Sequence, residues 1–424
     1  MVFLCCEIKE AMKATILNQR QERDELLSRT YLVRHTNNDN DMLLGSNLIK
    51  LITGPRRVGK STQALLMLKD KNFAYLNFDN KELLDGWDAN LVMRTLDEVY
   101  PNYEYILLDE VQNLDQWDLW VSELYRRGKN LIITGSNAKM LSSEMATVLT
   151  GKYLQVSMLP FSLAEFFEWN KFDLHAPQED RAEATILLDD YLHNGGYPET
   201  VASRPLTQGY LDTLFDSIVW KDVVKRHNIR NTSDLNNLAM YLVSNFCNLV
   251  SANDLTKELG FSSVSTVQKF MDYLHEPYLF YYLPRYNNKL KLMKKASKKV
   301  YVVDNGFVKA KAFSLSDNFG RLLENQVFIE LIRRGYDTER TMFYYRSRND
   351  KEVDFVLREG THIKCLVQVC YDMSSEKVAK REVNSLIECA GELKCNTLVI
   401  VTNNDERVIE KDGYTIKVIP VSKF

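Results

Sequence analysis

Five short runs of apolar residues, separated by helical or turn-like patterns, occupy residues 48–160. Residues that are apolar on consecutive positions suit strands buried on both faces, as in a parallel sheet covered by helices. The pattern therefore predicts an α/β domain over residues 1–160. Its predicted strands are residues 48–53, 73–78, 105–109, 130–135 and 153–159.

The pattern changes twice after this domain. Helical spacing dominates residues 161–230, which predicts a helical lid. Residues 231–310 contain two predicted helices joined at Gly260, followed by strands at 278–286 and 299–304 around a basic loop, an order that favours a winged helix. Residues 311–424 return to mixed α/β patterning, so we predict four regions in all.

Charge and composition narrow the classes of protein. The 54 Lys and Arg residues nearly balance the 57 Asp and Glu residues, giving a net charge of −3, so binding to nucleic acid would need a local basic patch. The odd count of 7 Cys, with no signal-peptide pattern and no run long enough to span a bilayer, predicts a cytoplasmic protein without a membrane partner.

The sequence GPRRVGKST follows the first predicted strand and fits the phosphate-loop pattern. Glycine at 54 and 59 permits backbone angles that turn successive amides toward a phosphate. Lys60 would reach the β- and γ-phosphates, and Ser61 would coordinate Mg²⁺ at a helix N-terminus. We expect ATP and Mg²⁺ to be held by Gly54, Pro55, Arg56, Arg57, Val58, Gly59, Lys60, Ser61 and Thr62.

Two further strand ends carry groups suited to hydrolysis. Asp109 would hold Mg²⁺ through its water shell, and Glu110 would polarise the attacking water. Ser136 and Asn137 end the next predicted strand, where they could orient that water. The alternatives are a strand ending in two solvated acids and an ordinary Gly-Ser-Asn turn.

Taken in order, GPRRVGKST, LLDEVQNLDQW, ITGSN, LTGKYLQVSMLPFSLAEF and GGYPE resemble the bacterial and archaeal AAA-type ATPases that carry a C-terminal domain of unknown function. The resemblance implies a Walker A and Walker B site, a helical lid, a winged helix and a nuclease-like end. That family usually has arginine where this chain has Lys152, and lysine cannot fork across two phosphate oxygens as arginine does.

The basic loop has no acid between residues 285 and 299. Its local charge could neutralise phosphates of DNA or RNA in a salt-dependent way. The alternative is a solvated loop on a module that contacts a protein partner or a second copy of the chain. The candidate lysines are Lys289, Lys291, Lys294, Lys295, Lys298 and Lys299.

Glu324, Asp354 and Gln368 have a spacing that resembles the PD-(D/E)XK nuclease fold. Such a site needs carboxylates that converge on Mg²⁺ and a lysine near the scissile phosphate. Gln368 and Cys370 stand where Glu and Lys belong, which predicts an inactive scaffold. Thiols at scattered spacings are expected to be structural rather than metal ligands.

The sequence therefore predicts Mg²⁺-dependent ATP hydrolysis that drives a conformational cycle. One alternative is a nucleotide-held switch or binding module with little turnover. A weaker alternative is an ATP-dependent DNA nuclease.

Overall fold

A computed structural model describes residues 2–32, 34–35, 40–136, 149–173, 181–313 and 318–424 of the chain. Backbone contacts divide the chain into two compact units, Met1–Leu159 and Pro160–Phe424. The predicted boundary of the α/β domain at residue 160 lies beside this division and stays a prediction. The finer division of the second unit into three regions stays a prediction.

The first unit contains a parallel sheet of five strands in the order β2-β3-β4-β1-β5. The α/β prediction and its five strands are confirmed. The strands are β1 (Ile49–Thr53), β2 (Phe73–Asn77), β3 (Tyr105–Asp109), β4 (Asn130–Gly135) and β5 (Tyr153–Ser157). The helices are α1 (Val2–Leu27), α2 (Asn40–Leu44), α3 (Lys60–Met67), α4 (Lys81–Asp85), α5 (Ala89–Val99) and α6 (Trp117–Arg126).

Burial explains the consecutive apolar residues in these strands. Both faces of the central strands are covered, so Leu107 and Leu108 on β3 are each fully buried although they point to opposite sides. Residues Met12 and Ile16 of α1 join the same core, and this helix therefore packs as part of the α/β unit. The carboxyl ends of the parallel strands then lie along one edge of the sheet.

Helices dominate the first part of the second unit. They are α7 (Leu163–Trp169), α8 (Arg181–Asn194), α9 (Pro198–Ala202), α10 (Thr207–Ser217) and a π-helix at Ile218–Lys225.

A buried aspartate explains the glycine pair in GGYPE. The Asp304 carboxylate accepts hydrogen bonds from the amides of Gly196 and Gly306, each at 2.8 Å. Gly195 has φ of 71°, and a β-carbon there would lie 1.7 Å from Asp304 Oδ1. A larger residue at this position would therefore displace the carboxylate.

The next segment includes the two helices predicted on either side of Gly260 and a three-stranded antiparallel sheet in the order β6-β8-β7. The side chain of Ser263 caps the second of these helices by accepting a hydrogen bond from the Thr266 amide. The predicted basic loop contains a further short helix. The elements are α11 (Thr232–Ser244), β6 (Leu249–Val250), α12 (Ala252–Glu258), α13 (Val264–His275), β7 (Phe280–Leu283), α14 (Leu290–Lys295), β8 (Lys298–Val302) and α15 (Asn305–Lys311).

A mixed sheet of six strands ends the chain, in the order β13-β14-β12-β11-β10-β9. Its core includes Val356, Leu366 and Ile400 from the sheet and Leu386 from a long helix. The elements are α16 (Phe319–Arg333), β9 (Met342–Arg346), β10 (Glu352–Glu359), β11 (His362–Val369), α17 (Glu376–Leu393), β12 (Leu398–Thr402), β13 (Arg407–Lys411) and β14 (Tyr414–Pro420). Across the described residues, no helix has both the length and the apolar character needed to cross a membrane.

Candidate functional site

The phosphate-loop sequence forms the connection between β1 and α3. Gly59 has φ of 92° and directly precedes α3, a backbone geometry that favours glycine. Gly54 has φ of 149°, and a β-carbon there would come within 2.0 Å of the Met158 carbonyl oxygen. Packing of the loop against the chain after β5 is therefore a second reason for glycine at position 54.

Lys60 is the first residue of α3 and is only 4% exposed. Its Nζ donates to the Pro55 carbonyl oxygen at 3.0 Å and lies 3.7 Å from Glu110 Oε1. The first contact folds the lysine back across its own loop. The second places the ammonium group beside the acid at the end of β3.

Asp109 lies at the carboxyl end of β3 and is almost fully buried. Its carboxylate accepts hydrogen bonds from Ser61 Oγ at 2.7 Å, from Tyr75 OH at 3.2 Å and from Thr134 Oγ1. Burial raises the pKa of Asp109 to about 6, although the bonds from Thr134 and Ser61 oppose that rise. Two hard oxygen donors, the Ser61 hydroxyl and this carboxylate, therefore face each other at hydrogen-bond distance.

Glu110 follows in the left-handed region, with φ of 52°, which is uncommon for a residue with a β-carbon. Its backbone amide donates to Thr134 Oγ1 at 3.0 Å, and its carboxylate accepts from Gln112 Nε2 and from Ser136 Oγ at 3.3 Å. Burial disfavours its charge, but the Lys60 ammonium and the Gln112 hydrogen bond outweigh burial and lower its pKa. The carboxylate is thus held ionised beside the lysine.

Residues that sequence reasoning missed complete this arrangement. Thr134 connects both acids, and register explains why: Leu108 pairs with Ile133, so the next residues of β3 and β4 are neighbours. Tyr75 pairs with Leu107, two residues before Asp109, and its hydroxyl group reaches the Asp109 carboxylate from β2. Arg34 donates to the carbonyl oxygens of Val58 at 2.8 Å and Leu159 at 2.7 Å and so supports the loop from outside. Only Thr134 carried a signal, because it immediately precedes the Gly-Ser pair of the ITGSN sequence.

The other phosphate-loop residues that were predicted to hold ATP and Mg²⁺ differ in exposure. The side chains of Pro55 and Val58 are buried, and Arg57 is exposed with φ of 68°. Arg56 is half-buried and lowers the pKa of Glu110 through its charge. Thr62 is half-buried on α3. Asn137 lies outside the residues that the structure describes.

The six candidate lysines of the basic loop do not share one surface. Lys289, Lys291, Lys294 and Lys295 are exposed on or beside α14, and Lys298 is half-buried. Lys299 is only 3% exposed and forms three ion pairs with acids, so its assignment to the basic surface was wrong. Because side chains alternate between the two faces of a strand, Lys298 points outward from β8 and Lys299 points inward.

Glu324 on α16 and Asp354 on β10 do come together, and the group between them is Lys299. Glu352, two positions before Asp354 on β10, also contacts the lysine and was missed, although the spacing of two in EVD was a usable signal. The Nε2 of Gln368 donates to Glu382 on α17 at 2.9 Å, and its grouping with these acids stays a prediction.

Comparisons with known proteins agree with this architecture. Residues 46–167 match the AAA domain family, and residues 185–317 and 319–424 match two domains of unknown function. An uncharacterized protein of Methanocaldococcus jannaschii is 32% identical over 92% of this chain and 90% of its own length. An uncharacterized protein of Haemophilus influenzae is 32% identical over 88% of this chain and 93% of its own length.

Among solved structures, a Walker-type ATPase of Pyrococcus abyssi aligns with 67% of this chain and 99% of its own chain, at 14% identity and a TM-score of 0.41. The assignment rests on the sequence matches, which cover nearly the whole chain. The resemblance seen in the sequence is therefore confirmed: this chain belongs to the family of P-loop ATPases that join an AAA domain to two C-terminal domains of unknown function.

Proposed function

We propose that this protein hydrolyses ATP with Mg²⁺ and uses the cycle to change its conformation. The observation that carries the proposal is the convergence of Lys60, Ser61, Asp109 and Glu110 at the carboxyl edge of the parallel sheet. An ammonium group, a helix N-terminus and two acids are the groups that phosphoryl transfer from a nucleotide requires.

The donor set fits Mg²⁺, which prefers oxygen ligands and retains several waters. Ser61 Oγ and the Asp109 carboxylate would hold the ion, which supplies charge neutralisation at the β- and γ-phosphates. Tyr75 and Thr134 keep the Asp109 carboxylate in place through their hydroxyl groups. They act as positioning residues, because they touch the acid rather than the nucleotide.

Lys60 and Glu110 would exchange partners when nucleotide binds. Their present contact of 3.7 Å is long for an ion pair, and a γ-phosphate would attract the ammonium group more strongly. Glu110 would then be released from the lysine and could polarise a water, with Ser136 and Gln112 orienting its carboxylate. This exchange provides a physical link between the presence of the γ-phosphate and the state of the site.

Steady-state phosphate release tests the proposal. Glu110→Gln removes the general base while keeping its shape, so kcat should fall by about 10² to 10⁴-fold with ATP affinity retained. Glu104→Gln is the matched control, an exposed acid just before the same strand, and should leave kcat unchanged. Undetectable turnover in the natural chain, with tight Mg²⁺–ATP binding, would reject hydrolysis and favour the nucleotide-held switch.

A second candidate function is nucleic-acid binding by the exposed lysines of α14. Support comes from the four exposed ammonium groups within seven residues, Lys289 to Lys295, on a chain of almost zero net charge. Affinity for DNA or RNA should fall steeply with added salt and fall again when Lys294 and Lys295 become Ala. Lys299→Ala serves no purpose in this test, because that side chain is buried.

A further inference from the structure

A buried lysine occupies the centre of the carboxylate cluster in the C-terminal unit. Lys299 Nζ lies 2.8 Å from Asp354 Oδ1, 2.8 Å from Glu352 Oε1 and 2.9 Å from Glu324 Oε1. The four residues come from β8, α16 and β10. One ammonium group thus satisfies its three donors with three separate acids.

The charges of this cluster explain why the lysine remains protonated. Burial opposes the ammonium charge, but the carboxylates of Asp354, Glu324 and Glu352 outweigh it and raise the pKa of Lys299 well above its ordinary value. Burial also raises the pKa of Glu324 to about 7, despite the lysine beside it. The three acids outnumber the two cations that pair with them in the described part of the chain, Lys299 and Arg346.

Other contacts hold the acids toward that central position. Tyr301 OH donates to Glu324 Oε1 at 2.7 Å, and the Val369 amide donates to Asp354 Oδ2 at 2.9 Å. Arg346 lies 3.2 Å from Glu352 Oε2 on the outer side. The carboxylates are therefore preorganised by groups other than the lysine.

Carboxylates that converge from a helix and a strand on one point are the ligand set of a hard divalent cation. A divalent ion would need to lie about 2.0–2.6 Å from these oxygens, in space that the Lys299 ammonium fills. Two cations cannot share that space, since like charges at such distances in a buried site repel strongly. The lysine and a metal are therefore mutually exclusive.

We propose that Lys299 is the built-in cation of the Glu324–Glu352–Asp354 cluster, that it excludes divalent ions from this cluster, and that its removal opens a site for one divalent ion. The inference does not rest on the ATPase proposal, since all four residues lie in the C-terminal unit. It also gives a reason for an inactive nuclease-like scaffold other than the neutral residues at positions 368 and 370.

The proposal is tested by measuring Mn²⁺ binding to the full chain by electron paramagnetic resonance, in the absence of nucleotide. Lys299→Ala should bind one Mn²⁺ more than the natural chain, and Lys299→Ala with Asp354→Asn should lose that ion. Because Lys299→Ala leaves three acids without their cation, 1 mM Mn²⁺ should also raise its melting temperature by about 5 °C, an increase absent from the natural chain.

Lys298→Ala is the matched control, an adjacent lysine on the same strand that is half-buried and outside the cluster. It should bind Mn²⁺ as the natural chain does. If Lys299→Ala does not fold, Lys299→Gln keeps a polar side chain that is one atom shorter and uncharged, and it should gain the same ion. An Asp354-dependent Mn²⁺ site in the natural chain, or no additional ion in either folded variant, would overturn the proposal.

Discussion

Among the residues that the structure describes, two buried lysines face acids, and they are held in different ways. Lys60 begins a helix after a glycine-containing loop, donates to one carbonyl at 3.0 Å and lies 3.7 Å from one acid. Lys299 lies within a strand and has three carboxylates at 2.8–2.9 Å. A phosphate could replace the carbonyl and the carboxylate beside the first ammonium group, whereas the second has its three donors on three carboxylates.

The comparison shows that two buried ammonium groups can have different roles, one in ligand binding and one in stability. A group that must bind and release a ligand cannot be fully satisfied within the protein, because the ligand would then gain nothing by displacing its partners. The Pro55 and Glu110 contacts of Lys60 are ones that a phosphate oxygen could replace. Lys299 has its three donors on three carboxylates, and we expect its contribution to be stability and the exclusion of other cations.

The largest expected effect is on stability. Lys299→Ala leaves Glu324, Glu352 and Asp354 without their shared cation, and breaking a buried ion pair of this kind costs about 3–5 kcal/mol of unfolding free energy. Urea unfolding in the absence of divalent ions should show this loss. Lys298→Ala should change the unfolding free energy by less than about 0.5 kcal/mol. Equal effects of the two substitutions would contradict the contrast drawn here.

Asp304 is a buried acid that is hydrogen-bonded to backbone amides, in contrast to the acids that are paired with Lys60 and Lys299. Burial raises its pKa from 3.8 to about 6, against the opposing bonds from Gly196 and Gly306. As the pH rises from 4 through 6, the unfolded chain releases this proton before the folded chain does. The unfolding free energy should therefore fall by about 3 kcal/mol relative to Asp304→Asn, which lacks the titration.

This pH effect is measured by urea unfolding of both chains at several values between pH 4 and pH 7.5. Because the amide side chain in Asp304→Asn cannot accept both backbone bonds, its absolute stability will differ. The informative quantity is how the difference in unfolding free energy between the natural chain and Asp304→Asn changes with pH. A difference that stays constant, or that grows as the pH rises, would show that Asp304 is not held in the way described.

Loss of Lys60 should act on the nucleotide. Lys60→Ala removes a charge-assisted bond to phosphate, for which we expect ATP affinity to fall about 100-fold, or about 2.7 kcal/mol. Titration calorimetry measures this change. Lys69→Ala, an exposed lysine just beyond the same helix, is the control and should bind ATP normally. Unaltered ATP affinity in Lys60→Ala would show that Lys60 does not bind the nucleotide.

The smallest effect is expected at Tyr75. Tyr75→Phe removes one of three hydroxyl donors to Asp109 and keeps the aromatic ring in the core, so kcat should fall about 3-fold. Tyr103→Phe is the control, because the Tyr103 hydroxyl group donates to Asp97 instead. A fall beyond about 100-fold would mean that Tyr75 contacts the reacting groups, contrary to its assignment as a positioning residue.

The α/β fold and the phosphate loop could be predicted because their signals are local. Buried parallel strands appear as consecutive apolar residues, and residues 54–62 lie together in the sequence as they do in space. The acids at positions 109 and 110 follow from where β3 ends. Tyr75 had no local signal, and Thr134 had only its place before the Gly-Ser pair, because their contacts depend on which strands are neighbours and in what register.

The acid cluster shows where sequence reasoning fails. Lys299 meets Glu324 and Asp354 across separations of 25 and 55 residues, and only the tertiary fold creates those contacts. Lys299 also lies in a lysine-rich run, and such a run predicts a solvated basic loop rather than a buried residue. The alternation of a strand, which turns Lys298 outward and Lys299 inward, becomes informative only when the strand and its core side are known.

The most direct test of the central claim is to mix Glu110→Gln with Mg²⁺ and radiolabelled ATP, separate free nucleotide by gel filtration, and identify what remains bound. The proposed site predicts that this variant retains intact ATP, because Lys60 and Ser61 still bind while the general base is absent. The natural chain should yield ADP and phosphate under the same conditions. Glu110→Gln that retains no nucleotide, or that converts ATP as fast as the natural chain, would contradict the account.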